Sequence, residues 1–247
     1  LTELIQGSRS VATLYEGDCL DIIAGLPPVD SVVTDPPYGI EDIVGGYSRS
    51  GATIMNDRNL DVTMGALAAA AMGPAGDAWF FVFYSCRISP TFFASLPRSL
   101  TYYGEIAWDK KAPGMGRGIR YQHENISVLY SGEPKKFAQD TMSVITKFRE
   151  PDVHPHQKPV GLMHRLIEII GARSVLDPFM GSGSTGAAAL RAGVNFTGIE
   201  LDPDHYRTAV MRISEEATRP DMFALKGANV VQLDLISDNE NNGEDAA

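Results

Sequence analysis

The chain has 247 residues, 44% of them hydrophobic and 21% charged, with a net charge of −10. This size and balance fit one soluble α/β domain; two cysteines, Cys19 and Cys86, in apolar surroundings argue against a disulfide framework. There is no apolar run of membrane-spanning length, no secretory pattern at the N-terminus and no Cys/His cluster with metal-ligand spacing, so a cytoplasmic protein without membrane or metal is expected.

In chain order, strands are predicted at Ala12–Glu16, Ser31–Asp35, Ala78–Ser85, Tyr102–Asp109, Asn125–Tyr130, Ser174–Asp177 and Asn195–Glu200. Several are short apolar or β-branched runs bounded by Gly, Pro or Asp, as strands covered on both faces should be. Helices are predicted at Leu60–Met72, although Gly65 weakens it, and from a first-turn Pro159 through Leu162, Met163, Leu166, Ile167 and Ile170. A third runs over Ser184–Ala192, stopping at Gly193, and a fourth opens at Asp202-Pro203 and reaches about Ala217. Gly39–Asn59 and Lys110–His123 are loops, and Asp234–Ala247 is an acidic, disordered tail after a domain spanning residues 1–233. The alternation gives an α/β fold: a mostly parallel, seven-stranded, Rossmann-like sheet with helices on both faces and ligands at the strand carboxyl ends.

Charge is unevenly spread. Arg87 to Arg149 holds ten basic and five acidic residues, so a basic middle of +5 sits on a remainder of −15. Such a middle is compatible with a phosphate-binding face and equally with a solvated surface.

Two segments carry chemistry. Asp177-Pro178-Phe179-Met180-Gly181-Ser182-Gly183-Ser184-Thr185-Gly186 lies between a strand and a helix, where glycines allow close ligand approach and the helix start offers free N–H groups. Gly181, Gly183 and Gly186 match the dinucleotide fingerprint, with Glu200 ending the next strand, which by itself suits NAD, FAD or S-adenosylmethionine. Asp177 favours the last, because a carboxylate repels a diphosphate but suits an ammonium. In Thr34-Asp35-Pro36-Pro37-Tyr38-Gly39 the prolines remove two N–H donors and keep their carbonyls. Asp35 and the Pro36 carbonyl therefore present acceptors beside an aromatic ring, which fits an NH₂ group on a flat ring.

These two segments, with His154-Pro155-His156-Gln157-Lys158-Pro159, resemble the three signatures of the DNA N6-adenine/N4-cytosine methyltransferases. The motif order resembles the circularly permuted β group, and the resemblance spans Leu14 to Arg212. It implies a single-domain S-adenosylmethionine-dependent methyltransferase in which Asp35, Pro36, Pro37 and Tyr38 act on a flipped-out base of double-stranded DNA. An aspartate before Pro-Pro-Tyr is typical of adenine enzymes; N4 of cytosine, or a non-catalytic regulator with this fold, are the alternatives.

The resemblance further implies that Asp18 accepts from the cofactor adenine beside Cys19, and that Glu200, next to Leu201, binds the ribose. Pro178, Phe179, Gly181, Ser182, Gly183 and Ser184 would line the cofactor, Asp177 would face its amino group, and Lys158 its carboxylate. Asp35 and His156 complete the expected cofactor contacts. Where many members carry a large recognition region, this chain has only Ser131–Val153. DNA contacts would then fall to the two loops, through Tyr47, Arg49 and Arg58, and through Lys110, Arg117, Arg120 and His123. Dimers are common in the resembling group, and a homodimer is an open expectation.

Overall fold

A computed structural model describes residues 2–37, 60–111, 119–146 and 157–219. Nine strands form one sheet: β1 (Thr2–Gln6), β2 (Val11–Glu16), β3 (Ser31–Thr34), β4 (Trp79–Tyr84), β5 (Thr101–Asp109), β6 (His123–Tyr130), β7 (Val144–Thr146), β8 (Ser174–Asp177) and β9 (Asn195–Glu200). The helices are α1 (Cys19–Ile22), α2 (Leu60–Met72), α3 (Ser89–Ala94), α4 (Val160–Ile170), α5 (Ser184–Ala192) and α6 (Pro203–Ala217). The spatial order is β1-β2-β9-β8-β3-β4-β6-β5-β7.

The seven expected strands and four expected helices are all present, within a residue or two at their ends. Pro159 is a correction of detail: it stands at the N-cap of α4 in extended conformation (ψ 132°), not within the first turn. Strands β1 and β7 are additions. β1 has four exposed residues among its five and lies antiparallel on β2, while β7 is three residues long and parallel to β5. Strands β2, β9, β8, β3 and β4 run parallel, and β6 reverses direction against both β4 and β5.

Both faces of the sheet are covered. On one, Val33, Phe81, Phe83, Ile126 and Val128 pack with Leu162, Leu166, Ile170, Ala188 and Ile213 of α4, α5 and α6. On the other, Val32, Phe80, Val82 and Leu129 pack with Met64, Leu67 and Ala70 of α2 and Phe92 of α3. The alternation Phe80/Phe81/Val82/Phe83 thus feeds two cores from one strand, and every residue of β4 is buried. Each such side chain stabilises the fold by about 1.5–3 kcal/mol through burial. Gly65 is accommodated in α2 because Leu20 packs over it; a Cβ there would stand 3.3 Å from Leu20 Cδ2.

This arrangement fixes where a ligand can sit. From β8 the chain proceeds through α5 to β9 on one side, and from β3 through α2 to β4 on the other. The adjacent carboxyl ends of β3 and β8 are therefore a topological switch point, where open α/β sheets hold their ligands. Gly186, in the first turn of α5, sets how closely that helix packs on α6 and β9: a Cβ there would stand 2.4 Å from Ile213 Cδ1 and 2.7 Å from Phe196 Cε1. Gly186→Ala is expected to destabilise the chain by about 1–3 kcal/mol through overpacking. Urea unfolding checks this, and an unchanged midpoint would mean that Ile213 and Phe196 yield without cost.

Candidate active site

Four neighbouring parallel strands deliver an acidic residue to the same edge. Asp18 follows β2, Glu200 ends β9, Asp177 ends β8 and Asp35 follows β3. Each carboxylate has defined partners, and these partners decide what it can do.

Asp18 caps α1, its side chain accepting from Leu20 N at 2.9 Å. Cys19 behind it is buried, and burial together with Asp18 pushes its thiol up to about 12, so it is no nucleophile. The Gly17 N–H donates to the Glu200 carbonyl at 2.9 Å, which places the expected adenine and ribose residues side by side. Glu200 accepts from Gly181 N and from Asp202 N, both at 2.8 Å. Burial raises its pKa against those two bonds. The glycine turn is thereby tied to the end of β9, and Leu201 beyond it is exposed.

Gly181 and Gly183 adopt φ of +53° and +82°, a region that favours glycine, and Gly183 is the N-cap of α5. A Cβ on Gly181 would meet nothing within 4 Å, so the described structure leaves space beside the turn. Pro178 is buried under the turn, Phe179 packs partly exposed on the α2 side of the sheet, and Ser182 is partly exposed. Ser184 is buried and accepts from Arg212 Nη1 at 2.9 Å.

Asp177, expected to face the amino group of the cofactor, is 2% exposed, and its carboxylate knits three elements together. It accepts from Thr34 Oγ1 of β3 at 2.7 Å, from Thr185 Oγ1 of α5 at 2.6 Å and from Phe179 N at 3.1 Å. Burial outweighs these bonds and, with Asp35 nearby, lifts its pKa from 3.8 to about 7.

Lys158 stands just before α4. It is buried and turned to other protein carboxylates: its Nζ lies 2.5 Å from Asp35 Oδ2 and 3.1 Å from Glu124 Oε2, and 5.0 Å from the centre of the Phe83 ring. Burial works to lower its pKa, but Asp35 and Glu124 overcome that and raise it. Glu124, at the start of β6, is held low by Lys158 and Lys110 against its own burial. Lys110 was expected at the DNA; it reaches Glu124 Oε1 at 2.8 Å and belongs to this charge cluster. Beyond the carboxylate, Pro36 is buried and the Pro37 carbonyl accepts from Thr63 Oγ1 of α2 at 3.2 Å.

Of the remaining expected DNA contacts, Arg120 and His123 are exposed, the latter at the first residue of β6. Arg87, exposed at the end of β4, lies over the Tyr121 ring at 5.3 Å. Tyr38, Tyr47, Arg49, Arg58, Arg117, His154 and His156 lie outside the described residues, as does the acidic tail. Thr34, Thr185, Glu124 and Arg212 are site residues that the sequence reading missed. A usable signal existed for Glu124, which shares strand parity with the apolar Ile126 and Val128 and so had to face the same covered side. Among the described residues no group of three or more His, Cys, Asp or Glu is placed to hold a metal, and no helix is long and apolar enough to cross a membrane.

The fold and this edge define a Rossmann-like S-adenosylmethionine-dependent methyltransferase fold. The family model described as "DNA methylase" matches residues 146–211. The methylase-family protein YubD of Escherichia coli (strain K12) is 31% identical over 210 residues, covering 83% of this chain and 91% of that protein. The type II methyltransferase M2.DpnII of Streptococcus pneumoniae is 25% identical over 249 residues, covering 85% and 92%. Among solved structures, the M1.HpyAVI–SAM complex superimposes with a TM-score of 0.63 at 24% identity, covering 81% of this chain and 99% of that one. The cytosine-N4-specific PvuII DNA methyltransferase gives 0.65 at 14% identity, covering 87% and 92%. The chain belongs to the N6/N4 DNA methylase family, whose methyl donor is S-adenosylmethionine.

Charge and space both suit that cofactor. Its sulfonium and ammonium are cations; the Glu200 carboxylate accepts from Gly181 N on the turn and Asp35 follows the neighbouring strand β3, so this edge is acidic and a diphosphate would be repelled. Asp177 contributes to that field from beneath. Because its folded pKa is raised above 3.8, the stability linked to it is fully present below about pH 4 and is lost as pH rises through about 7. The stability of the wild type relative to Asp177→Asn should therefore fall between about pH 4 and about pH 7 in urea unfolding. A difference independent of pH would show that the Thr34 and Thr185 bonds keep the carboxylate ionised throughout.

Proposed function

We propose that this chain methylates the N6 amine of adenine in double-stranded DNA, and that Asp35, Pro36, Pro37 and Tyr38 form its catalytic motif. The observation that carries this reading is the placement of Asp35-Pro36-Pro37 at the carboxyl end of β3, beside the glycine turn at the switch point. The backbone there lacks two N–H donors and offers acceptors, and Thr63 takes the Pro37 carbonyl. Asp35 and the Pro36 carbonyl are the acceptors assigned to the two hydrogens of the target amine.

S-adenosylmethionine, when bound, supplies an electrophilic methyl group. Glu200 and Asp18 are assigned to its ribose and adenine, and Phe179, Gly181, Ser182 and Gly183 to the stretch between ribose and methionine. An exocyclic amine is a weak nucleophile because its lone pair is conjugated with the ring. By accepting both hydrogens, Asp35 and Pro36 return electron density to nitrogen and fix its lone pair, so preorganisation supplies much of the barrier reduction. Asp35 or solvent takes the proton released after transfer. A base in a duplex must be extruded to reach a strand-end pocket, at about a few kcal/mol, and Tyr38 is assigned to stack on it.

Asp35→Ala is expected to abolish methyl transfer while S-adenosylhomocysteine binding by calorimetry stays within a few-fold; full activity on duplex DNA would sink the assignment. Sequencing DNA from an expressing, methylation-free host with modified-base detection should show N6-methyladenine in a defined sequence. N4-methylcytosine in its place would overturn the choice of base.

The basic middle, including Arg87, Arg120 and His123, is assigned to the DNA backbone despite a net charge of −10. Affinity for duplex DNA should then rise steeply as salt is lowered. If a filter-binding titration gave the same affinity at low and moderate salt, another face would be the docking surface.

A further inference from the structure

A chain of alternating charges runs along the active edge: Lys110, Glu124, Lys158 and Asp35. Lys110 leaves β5, Glu124 is the second residue of β6, Lys158 precedes α4 and Asp35 follows β3, so four separate elements build it. The antiparallel β6 makes this possible, because its beginning lies beside the ends of β4 and β5, with Asn125 paired to Tyr84 and Glu124 to Trp108. Each Glu124 oxygen has one cation: Oε1 bonds Lys110 Nζ at 2.8 Å, and Oε2 faces Lys158 Nζ at 3.1 Å. Stability alone does not call for this set, since well-packed apolar side chains in the same space hold a fold at least as firmly.

We propose that Glu124 is a positioning residue for Asp35 and acts through Lys158. This rests on the reading of Asp35 as acceptor of the target amine. An ammonium 2.5 Å from Asp35 Oδ2 draws on the same carboxylate that must accept from the base. Left with Asp35 as its only anionic partner in this set, Lys158 would hold that carboxylate tightly and weaken it as an acceptor. Glu124 shares the ammonium and gives it a second place to rest when Asp35 engages the base. Lys110 holds Glu124 by its other oxygen, which aims Oε2 at Lys158. Phe83, whose ring centre is 5.0 Å from Nζ, closes the apolar side of the same pocket and limits where the ammonium can go.

The test is label transfer from tritiated S-adenosylmethionine into unmethylated genomic DNA by the full chain, at saturating cofactor and DNA. E124Q should lose roughly ten- to hundredfold in saturated rate, the scale of a misplaced reacting group. Its KM for S-adenosylmethionine and its thermal midpoint should stay close to wild type, and E124D, which keeps the charge, should recover most of the rate. A folded E124Q with the wild-type rate overturns the inference, and so does a loss confined to KM, which would assign Glu124 to the cofactor. Should E124Q not fold, K110M decides, since it leaves Glu124 in place but frees its Oε1: a lowered saturated rate with unchanged KM supports positioning, and a wild-type rate overturns it. Asp35→Ala run in parallel separates the two readings. An active E124Q beside an inactive Asp35→Ala overturns this inference alone, whereas an active Asp35→Ala overturns the amine-acceptor reading itself.

Discussion

Parallel strands that end at one edge bring their terminal residues together, and here those residues are acids. Asp18, Glu200, Asp177 and Asp35 arrive from four adjacent strands, and Glu124 joins them from the start of an antiparallel fifth. Like charges gathered at the rim of an apolar sheet repel one another and lose hydration, so each needs a local answer. The answers differ. Asp18 spends its oxygen on a helix cap and Glu200 on the backbone of the glycine turn. Asp177 is taken inside by two threonines, while Asp35 and Glu124 share Lys158. The shape of the active edge is largely the sum of these solutions.

This view changes the meaning of two residues. Asp177 first reads as a carboxylate aimed at the cofactor's amino group, yet its oxygens bind Thr34, Thr185 and the Phe179 amide. It holds β3 and α5 at a fixed distance, and so sets how far the Asp35 motif lies from the glycine turn. Any field it exerts comes from behind the protein wall and varies with its protonation. Lys158, expected at the carboxylate of the cofactor, pairs here with Asp35 and Glu124. Both residues brace the groups that build the active edge.

How far the sequence reached follows from where information is local. Strands β3, β4 and β8 announce themselves because burial on both faces demands continuous apolar or β-branched runs. Helices α4 and α6 carry the 3.6-residue apolar recurrence, and Asp202 caps α6 by accepting from Asp204 N and His205 N as its position suggests. β1 and β7 left no such trace: one is exposed along most of its length, the other is three residues long, and both become strands only by pairing with a neighbour. The short α3 was missed although Pro90 in its first turn is a readable start. The direction of β6 could not be read, since strand orientation is set by connection and packing rather than by the residues of the strand.

The candidate site divides along the same line. Asp35-Pro36-Pro37 and the glycine turn were legible because their chemistry lies in consecutive residues: missing N–H groups, tolerated positive φ, a helix start. The charge chain was not, because it is made of residues 14, 34 and 123 positions apart that meet only once β6 has turned back along β4. Lys110 illustrates the consequence. Counted with its neighbours it belongs to a basic stretch suited to phosphate, yet its ammonium is paired with Glu124 and so adds little to an external field. The charge that stretch presents outward is then less basic than its composition suggests. Charge counted along the chain overstates a nucleic-acid face wherever the fold turns some of those charges inward to serve the chemistry.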